Sequence, residues 1–343
     1  MTLTPRNHAV DWLKGVMIVF IVFVHSGTIP GLFHGYLAVD IFFFIAGYYL
    51  MRSFNRKPET AIKYTWHRIK NIYLPYILCF LFSCVLRYEG LTHFADFDSF
   101  IEKYAQFAFS LSLTEEIGPR IMYEHILFGS WFLSVLVIAG FLLYSMLEYN
   151  DRFAIHILFP AICILGFTFI FTNGTSAMNW ARIGAISLPL LRGLTELAAG
   201  ALIYKIRDVY HDALERRGLI INIAFILSLV LYLALMFTER NLDVYLIATA
   251  PWILLGAVIE KSWLNRFLSL IRGGLISAIG KRSLYVLLAH PPALLIIHWS
   301  NENLLNNRFG NLAIFCFDMM ATGIATIILF YTCKWLRERV LPR

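Results

Sequence analysis

Asp11-Trp12-Leu13-Lys14-Gly15-Val16-Met17-Ile18-Val19-Phe20-Ile21-Val22-Phe23-Val24-His25-Ser26-Gly27 is apolar enough to cross a bilayer, yet it holds Asp11 and Lys14 at one end and His25 further in. Lys14 and His25 are eleven residues apart, which at about 100° per residue places both on one helical face, about 16 Å apart along the axis. Asp11, three residues before Lys14, is placed to neutralise or orient it. An ionisable group inside a span costs roughly 2.5–3.5 kcal/mol on insertion scales, so these residues are functional candidates. The competing explanation is that Lys14 reaches the headgroups and His25 is a hydrogen-bonded core residue.

The remainder of the 343-residue chain agrees with a membrane setting. Hydrophobic residues make up 59% and charged residues 15%, with a mean hydropathy of +0.67, where a soluble domain carries about 25% charge. A net charge of +7 would suit nucleic acid, but the bases fall in short loops on one side of a membrane, so no nucleic-acid partner is expected. Cys79, Cys84, Cys163, Cys316 and Cys333 lie in or beside apolar segments without metal-ligand spacing and read as core fillers. The first apolar run is long and lacks a small-residue cleavage site, so it is not expected to be a cleaved signal peptide.

At roughly 20 apolar residues per crossing, ten windows qualify: 10–30, 36–53, 70–88, 130–148, 153–172, 186–205, 218–237, 242–260, 282–299 and 311–335. The stretch 100–113 is apolar but short, and suits an interfacial helix. The expected architecture is an all-α polytopic membrane protein of about ten helices, one transmembrane domain over 1–343. With a cytoplasmic N-terminus, 22 of the 29 Lys and Arg fall on the cytoplasmic side, leaving Arg87, Lys103, Arg120, Arg182, Arg192, Arg240 and Arg308 outside. A miscounted helix would invert every later loop and destroy this asymmetry. Both termini are therefore expected in the cytoplasm. The long segment 89–129 falls outside, with seven acids against two bases.

Further polar groups interrupt the spans. Val39-Asp40-Ile41-Phe42-Phe43-Phe44-Ile45-Ala46-Gly47-Tyr48-Tyr49 puts a carboxylate at one end of a Phe-rich helix, either lining a cavity or solvated as an N-cap. Arg68 and Lys70, just before the third span, could hold a phosphate or simply anchor the helix. Arg192 and Glu196, four apart, are expected to pair, binding a glycan or holding helices together. His290 precedes Pro291-Pro292, which is expected to break or kink the ninth helix. Tyr123, Glu124 and His125, with the acidic segment, are placed where a sugar could be met.

These segments, in this order, resemble the acyltransferase type 3 family of membrane proteins. Lys14 and His25 match its pattern of a basic residue, ten residues, then His. Val39, Asp40, Phe42, Phe43, Gly47 and Tyr48 match its second-helix pattern, with Ala46 where serine is common. Arg68, Ile72, Pro75 and Tyr76 are similar to a third pattern, although Lys70 supplies the second charge. Ser130-Trp131-Phe132-Leu133-Ser134 is similar to the family's Trp-Phe-Leu element, and Ser283 to His290 to its C-terminal Ser-Tyr-His element with gaps. The resemblance spans about 8–335.

What it implies is transfer of an acyl group, usually acetyl, from cytoplasmic acyl-CoA to a hydroxyl of a cell-envelope or exported polysaccharide, or a lipid-linked saccharide, at a bacterial inner membrane. No permanently bound cofactor or metal is expected, and acetyl-CoA is a donor substrate. His25 is the expected general base or covalent acyl carrier, with Asp40 as a second catalytic group. Lys14 with Asp11, Arg68 and Lys70 are expected to meet the donor's phosphates, and Trp131, Arg192, Glu196 and His290 to line the substrate path. A transporter or flippase is the main rival reading, since buried charges also mark solute pathways; an inactive membrane sensor is the third.

Overall fold

The computed structural model describes residues 7–28, 31–32, 34–87, 97–117, 126–172, 182–183, 186–239, 243–271, 274–305 and 309–340, almost all of them helical. Helix α1 (His8–Ser26) begins where the Asn7 side chain accepts from the amides of Ala9 and Val10, and ends on Gly27 in the left-handed region. There follow α2 (Ala38–Arg56), α3 (Ala61–Leu86), α4 (Phe97–Leu111), α5 (Ser130–Phe153) and α6 (Phe159–Thr172). A two-residue ladder pairs Arg182–Ile183 with Ile186–Ser187. The chain continues with α7 (Leu188–Val209), α8 (His211–Arg216), α9 (Gly218–Leu235), α10 (Asp243–Val258), α11 (Trp263–Leu270), α12 (Gly274–Lys281), α13 (Ser283–Asn303) and α14 (Asn311–Arg339).

Each of the ten apolar windows is occupied by a helix. Among the described residues, seven helices are long and apolar enough to cross a membrane, or eight if α10 and α11, bent by 51°, form one broken span. The difference from ten has two physical sources. The run Ser130–Thr172 counts once at 43 residues, although about 1.5 Å per residue makes it roughly twice a bilayer core, and its backbone leaves the helical region at Asn150. The other is α7, whose Arg192, Glu196, Lys205 and Arg207 lower its hydropathy.

Helix α1 packs against α2, α10, α11, α12, α13 and α14. Helix α2 lies against α7 at close range: a Cβ on Gly47 would meet the Leu197 carbonyl at 1.9 Å, and one on Gly200 would meet that of Phe44 at 2.1 Å. Two facing glycines thus let the backbones touch, as in small-residue packing between membrane helices. Helices α9 and α14 expose apolar side chains such as Leu227, Val230, Ile324 and Ile328, a face suited to lipid.

The expected interfacial helix forms as α4, and Tyr76 Oη donates to the Ser110 carbonyl at 2.6 Å, tying it to α3. Two acids of the adjoining segment turn inward rather than towards a sugar. Glu115 accepts from Ser130 Oγ at 2.7 Å, and Glu116 pairs with Ser187, the N-cap of α7. Tyr123, Glu124 and His125 lie outside the described residues. Of the break or kink expected at Pro291-Pro292, no break occurs: α13 runs continuously from Ser283 to Asn303 with both prolines inside.

Candidate functional site

Helix α13 delivers His290 to His25. His25 Nδ1 and His290 Nε2 are 2.8 Å apart, and the rings lie nearly parallel, at 4°. Proline has no N–H, so Pro291 and Pro292 leave the carbonyls of Leu287 and Leu288 without their helical donors. Beside that gap, His290 Nδ1 lies 3.2 Å from the Val286 carbonyl. A carbonyl only accepts, so the proton of His290 is on Nδ1 and its Nε2 is an acceptor. His25 must then donate from Nδ1, which leaves the lone pair of His25 on Nε2. The chain Val286 carbonyl, His290, His25 therefore fixes one tautomer, a job done elsewhere by a carboxylate behind a catalytic histidine. The Phe128 ring meets His25 edge-on, with centroids 4.6 Å apart. His290 is fully buried, while His25 retains some exposure.

The pair stands between two cavities. One, of about 350 Å³ and almost wholly apolar, is lined by Ile18, Ile21, Phe42, Tyr49, Arg68 and Leu287, among others. Ile18 and Ile21 belong to the same face as Lys14 and His25, so the expected stripe on α1 is a cavity wall between its two polar ends. The other cavity, of about 330 Å³, contains His25 and His290 themselves, with Ser83, Arg87, Phe128 and His298. Ile21 is one turn from His25 and Leu287 three residues from His290, which places the imidazoles where the two spaces approach each other. Ser83 Oγ and Arg87 Nε are buried without hydrogen-bond partners among the described residues. His298 Nε2 is 3.2 Å from Asp318 Oδ2.

The structure brings three other candidates together elsewhere. Asp40, in the first turn of α2, is buried against Arg192, whose Nε lies 3.3 Å from Glu196 Oε1. Asp40 is thus neither solvated nor turned to His25; it joins a buried cluster between α2 and α7. Arg192 and Glu196 pair as expected. Trp131 is buried with its ring edge-on to Phe43, and the next two residues, Phe132 and Leu133, line the apolar cavity.

The expected phosphate contacts divide. Lys14 Nζ is 3.1 Å from Asp11 Oδ1. Arg68 reaches the apolar cavity and donates to Tyr64 Oη at 2.7 Å. Lys70 is exposed, with its ammonium 5.3 Å above the Trp66 ring. Sequence reasoning did not single out Ser83, Arg87, Phe128, His298 or Asp318. One signal was available, since His290 and His298 are eight residues apart and so nearly share a helical face.

With this geometry in place, the comparisons are consistent. A family model described as an acyltransferase domain matches residues 7–332, and the chain belongs to this acyltransferase 3 family. It is a multi-pass membrane protein of that family. A stretch of 75 residues is 32% identical to a protein of Komagataeibacter xylinus provisionally named membrane-bound transacylase BcsY, covering 22% of this chain and 18% of that relative. No solved structure matches the chain.

Proposed function

We propose that the chain moves an acetyl or other short acyl group from cytoplasmic acyl-CoA to a hydroxyl of a cell-envelope or exported polysaccharide, free or lipid-linked, at a bacterial inner membrane. On this reading both termini are cytoplasmic and all ten windows cross: α5 and α6 count separately, the charged α7 crosses among its partners, and α10 with α11 makes one broken span.

The observation that carries the proposal is the His25–His290 pair, which lines one cavity and lies within a turn of residues that line another. The acyl-pantetheine arm, being long and thin, suits the space between Ile18, Phe42 and Leu287. The acceptor suits the space beside Ser83, Arg87 and His298. As the acceptor oxygen attacks the thioester carbonyl, its proton passes to His25 Nε2. The new C–O ester bond forms, the C–S bond breaks, and the proton on Nε2 passes on to the departing thiolate. His290 accepts the His25 Nδ1–H throughout and keeps the ring aimed. Asp11 and Lys14 hold the basic end of the same helix face.

The test is transfer from acetyl-CoA to envelope glycan by the purified protein in lipid nanodiscs, read as thiol release and as ester formed. His25→Ala is expected to lower turnover by roughly 10²- to 10⁴-fold, the usual contribution of a positioned base, with acetyl-CoA binding retained. Full transfer by His25→Ala would overturn the assignment. Solute flux across vesicles without any thiol release would favour a transporter instead.

A further inference from the structure

The face of α2 that lines the apolar cavity does not stop there. Val39, Phe42, Ala46 and Tyr49 line it, and the same 3–4 spacing continues through Arg52 and Arg56, which line a third, polar cavity of about 350 Å³. Tyr49 is a wall of both. The polar cavity is bounded by the start of α1, the ends of α2 and α7, and the joint between α10 and α11, and it gathers Arg52, Arg56, Arg207 and Arg266. One carboxylate, Glu260, faces them; it lies 3.4 Å from Arg207 and its side chain is 77% exposed. Arg207 Nε is buried without a hydrogen-bond partner among the described residues.

Ordinary compensation of helix dipoles accounts for only part of this cluster. Arg56 and Arg207 sit in the last turns of α2 and α7, where a cation is favoured. Arg266 is in the opening turn of α11, where a cation is disfavoured, and Arg52 lies a turn inside α2. Guanidinium forks suit phosphate oxygens. Tyr48, Tyr49 and Tyr204 supply aromatic walls; Tyr48 and Tyr204 are packed edge to face, with centroids 5.1 Å apart. From Val39 to Arg56 the stripe covers 17 residues, about 25 Å, apolar at one end and cationic at the other.

We propose that this polar cavity binds the phosphorylated nucleotide head of the acyl-CoA donor, with its phosphates on Arg52, Arg56, Arg207 and Arg266 and its purine against the tyrosines. The arm then passes Tyr49 into the apolar cavity towards His25. The inference rests on acyl-CoA being the donor, and it moves the main phosphate contacts away from Lys14 and Lys70.

The test uses the full chain in nanodiscs of neutral lipid, with adenosine 3′,5′-bisphosphate as a probe that has the head but no arm, and measures its binding calorimetrically. Arg266→Ala and Arg52→Gln are each expected to weaken its binding and raise the KM for acetyl-CoA roughly tenfold or more, the scale of a lost charge-assisted phosphate contact, with kcat unchanged. Removing the 3′-phosphate from the donor is expected to raise KM by a larger factor for the unaltered protein than for the variants. If both variants bind the bisphosphate and use acetyl-CoA normally, the assignment fails while acyl transfer stands. If the cavity instead holds an anionic phospholipid head, the variants lose phosphatidylglycerol binding and leave the nucleotide unaffected, which also overturns it. If the bisphosphate binds through these arginines but no thiol is ever released, the transfer reading fails and the nucleotide site remains.

Discussion

Two groups of ionisable side chains within this bundle differ in what surrounds them. Arg192 pairs with both Asp40 and Glu196 between α2 and α7, and the three line neither the apolar cavity nor the histidine cavity. His25 and His290 also bond to each other, but the pair opens on a cavity of about 330 Å³. The presence of charge in a span therefore does not separate chemistry from architecture, although both attract a functional reading. Access to a cavity does. In the cluster, the dipole at the start of α2 favours the Asp40 carboxylate, and the guanidinium lies between two acids in a wall where helices touch through glycine.

The comparison is broken most forcefully at Arg192. Arg192→Leu leaves two buried carboxyl groups without their cation, a change that costs about 3–5 kcal/mol for buried pairs, so folded protein and transfer are expected to fall together. Replacing the whole cluster by neutral groups of similar size, Asp40→Asn, Arg192→Met and Glu196→Gln, is expected to restore both. Restored abundance without transfer would return Asp40 to the chemistry and end the distinction drawn above.

The histidine pair predicts the opposite pattern. His290→Leu removes the acceptor for the His25 Nδ1–H and frees the ring to change tautomer, with little charge left stranded. Turnover is expected to fall by roughly ten- to a hundredfold, a fraction of the base's own contribution, while melting temperature changes little. His290→Gln offers an amide oxygen to the same proton and is expected to recover part of the loss with an altered pH profile. Equal loss in both variants, with falling abundance, would place His290 with the structural cluster.

Much of this was legible because helical arithmetic is local. The eleven residues from Lys14 to His25 fixed a face of α1, and Ile18 and Ile21 on that face line the apolar cavity. The four residues from Arg192 to Glu196 fixed a pair that the fold retains. What periodicity could not convey was which distant helix each polar group would meet. His290 reaches His25 across 265 positions of chain, and Asp40 reaches Arg192 across 152. The arginines were legible as inside charge but not as a cavity, since Arg266 joins Arg52 only through the bend between α10 and α11. The prolines misled for a local reason: they remove two backbone donors from α13 without ending it, and His290 lies beside the gap.

The smallest expected effect lies at the far wall of the histidine cavity. His298 lines it with His25 and is bonded to the buried Asp318, so this pair is half cluster and half site. Asp318 begins a polar row on α14 in which the hydroxyls of Thr322 and Thr326 are buried without partners among the described residues, at successive four-residue steps along one face. Because the His298 side chain is 40% exposed, its removal should cost acceptor contacts more than folding. His298→Ala is expected to raise the acceptor KM by a few fold, roughly the scale of one neutral hydrogen bond, and to leave the acetyl-CoA KM alone. Asp318→Asn, which keeps the side chain's size and its bond to the imidazole, is expected to do less. Loss of folded protein in His298→Ala would show that Asp318 needs its partner as Asp40 needs Arg192, and the boundary between wall and site would then run through the cavity itself.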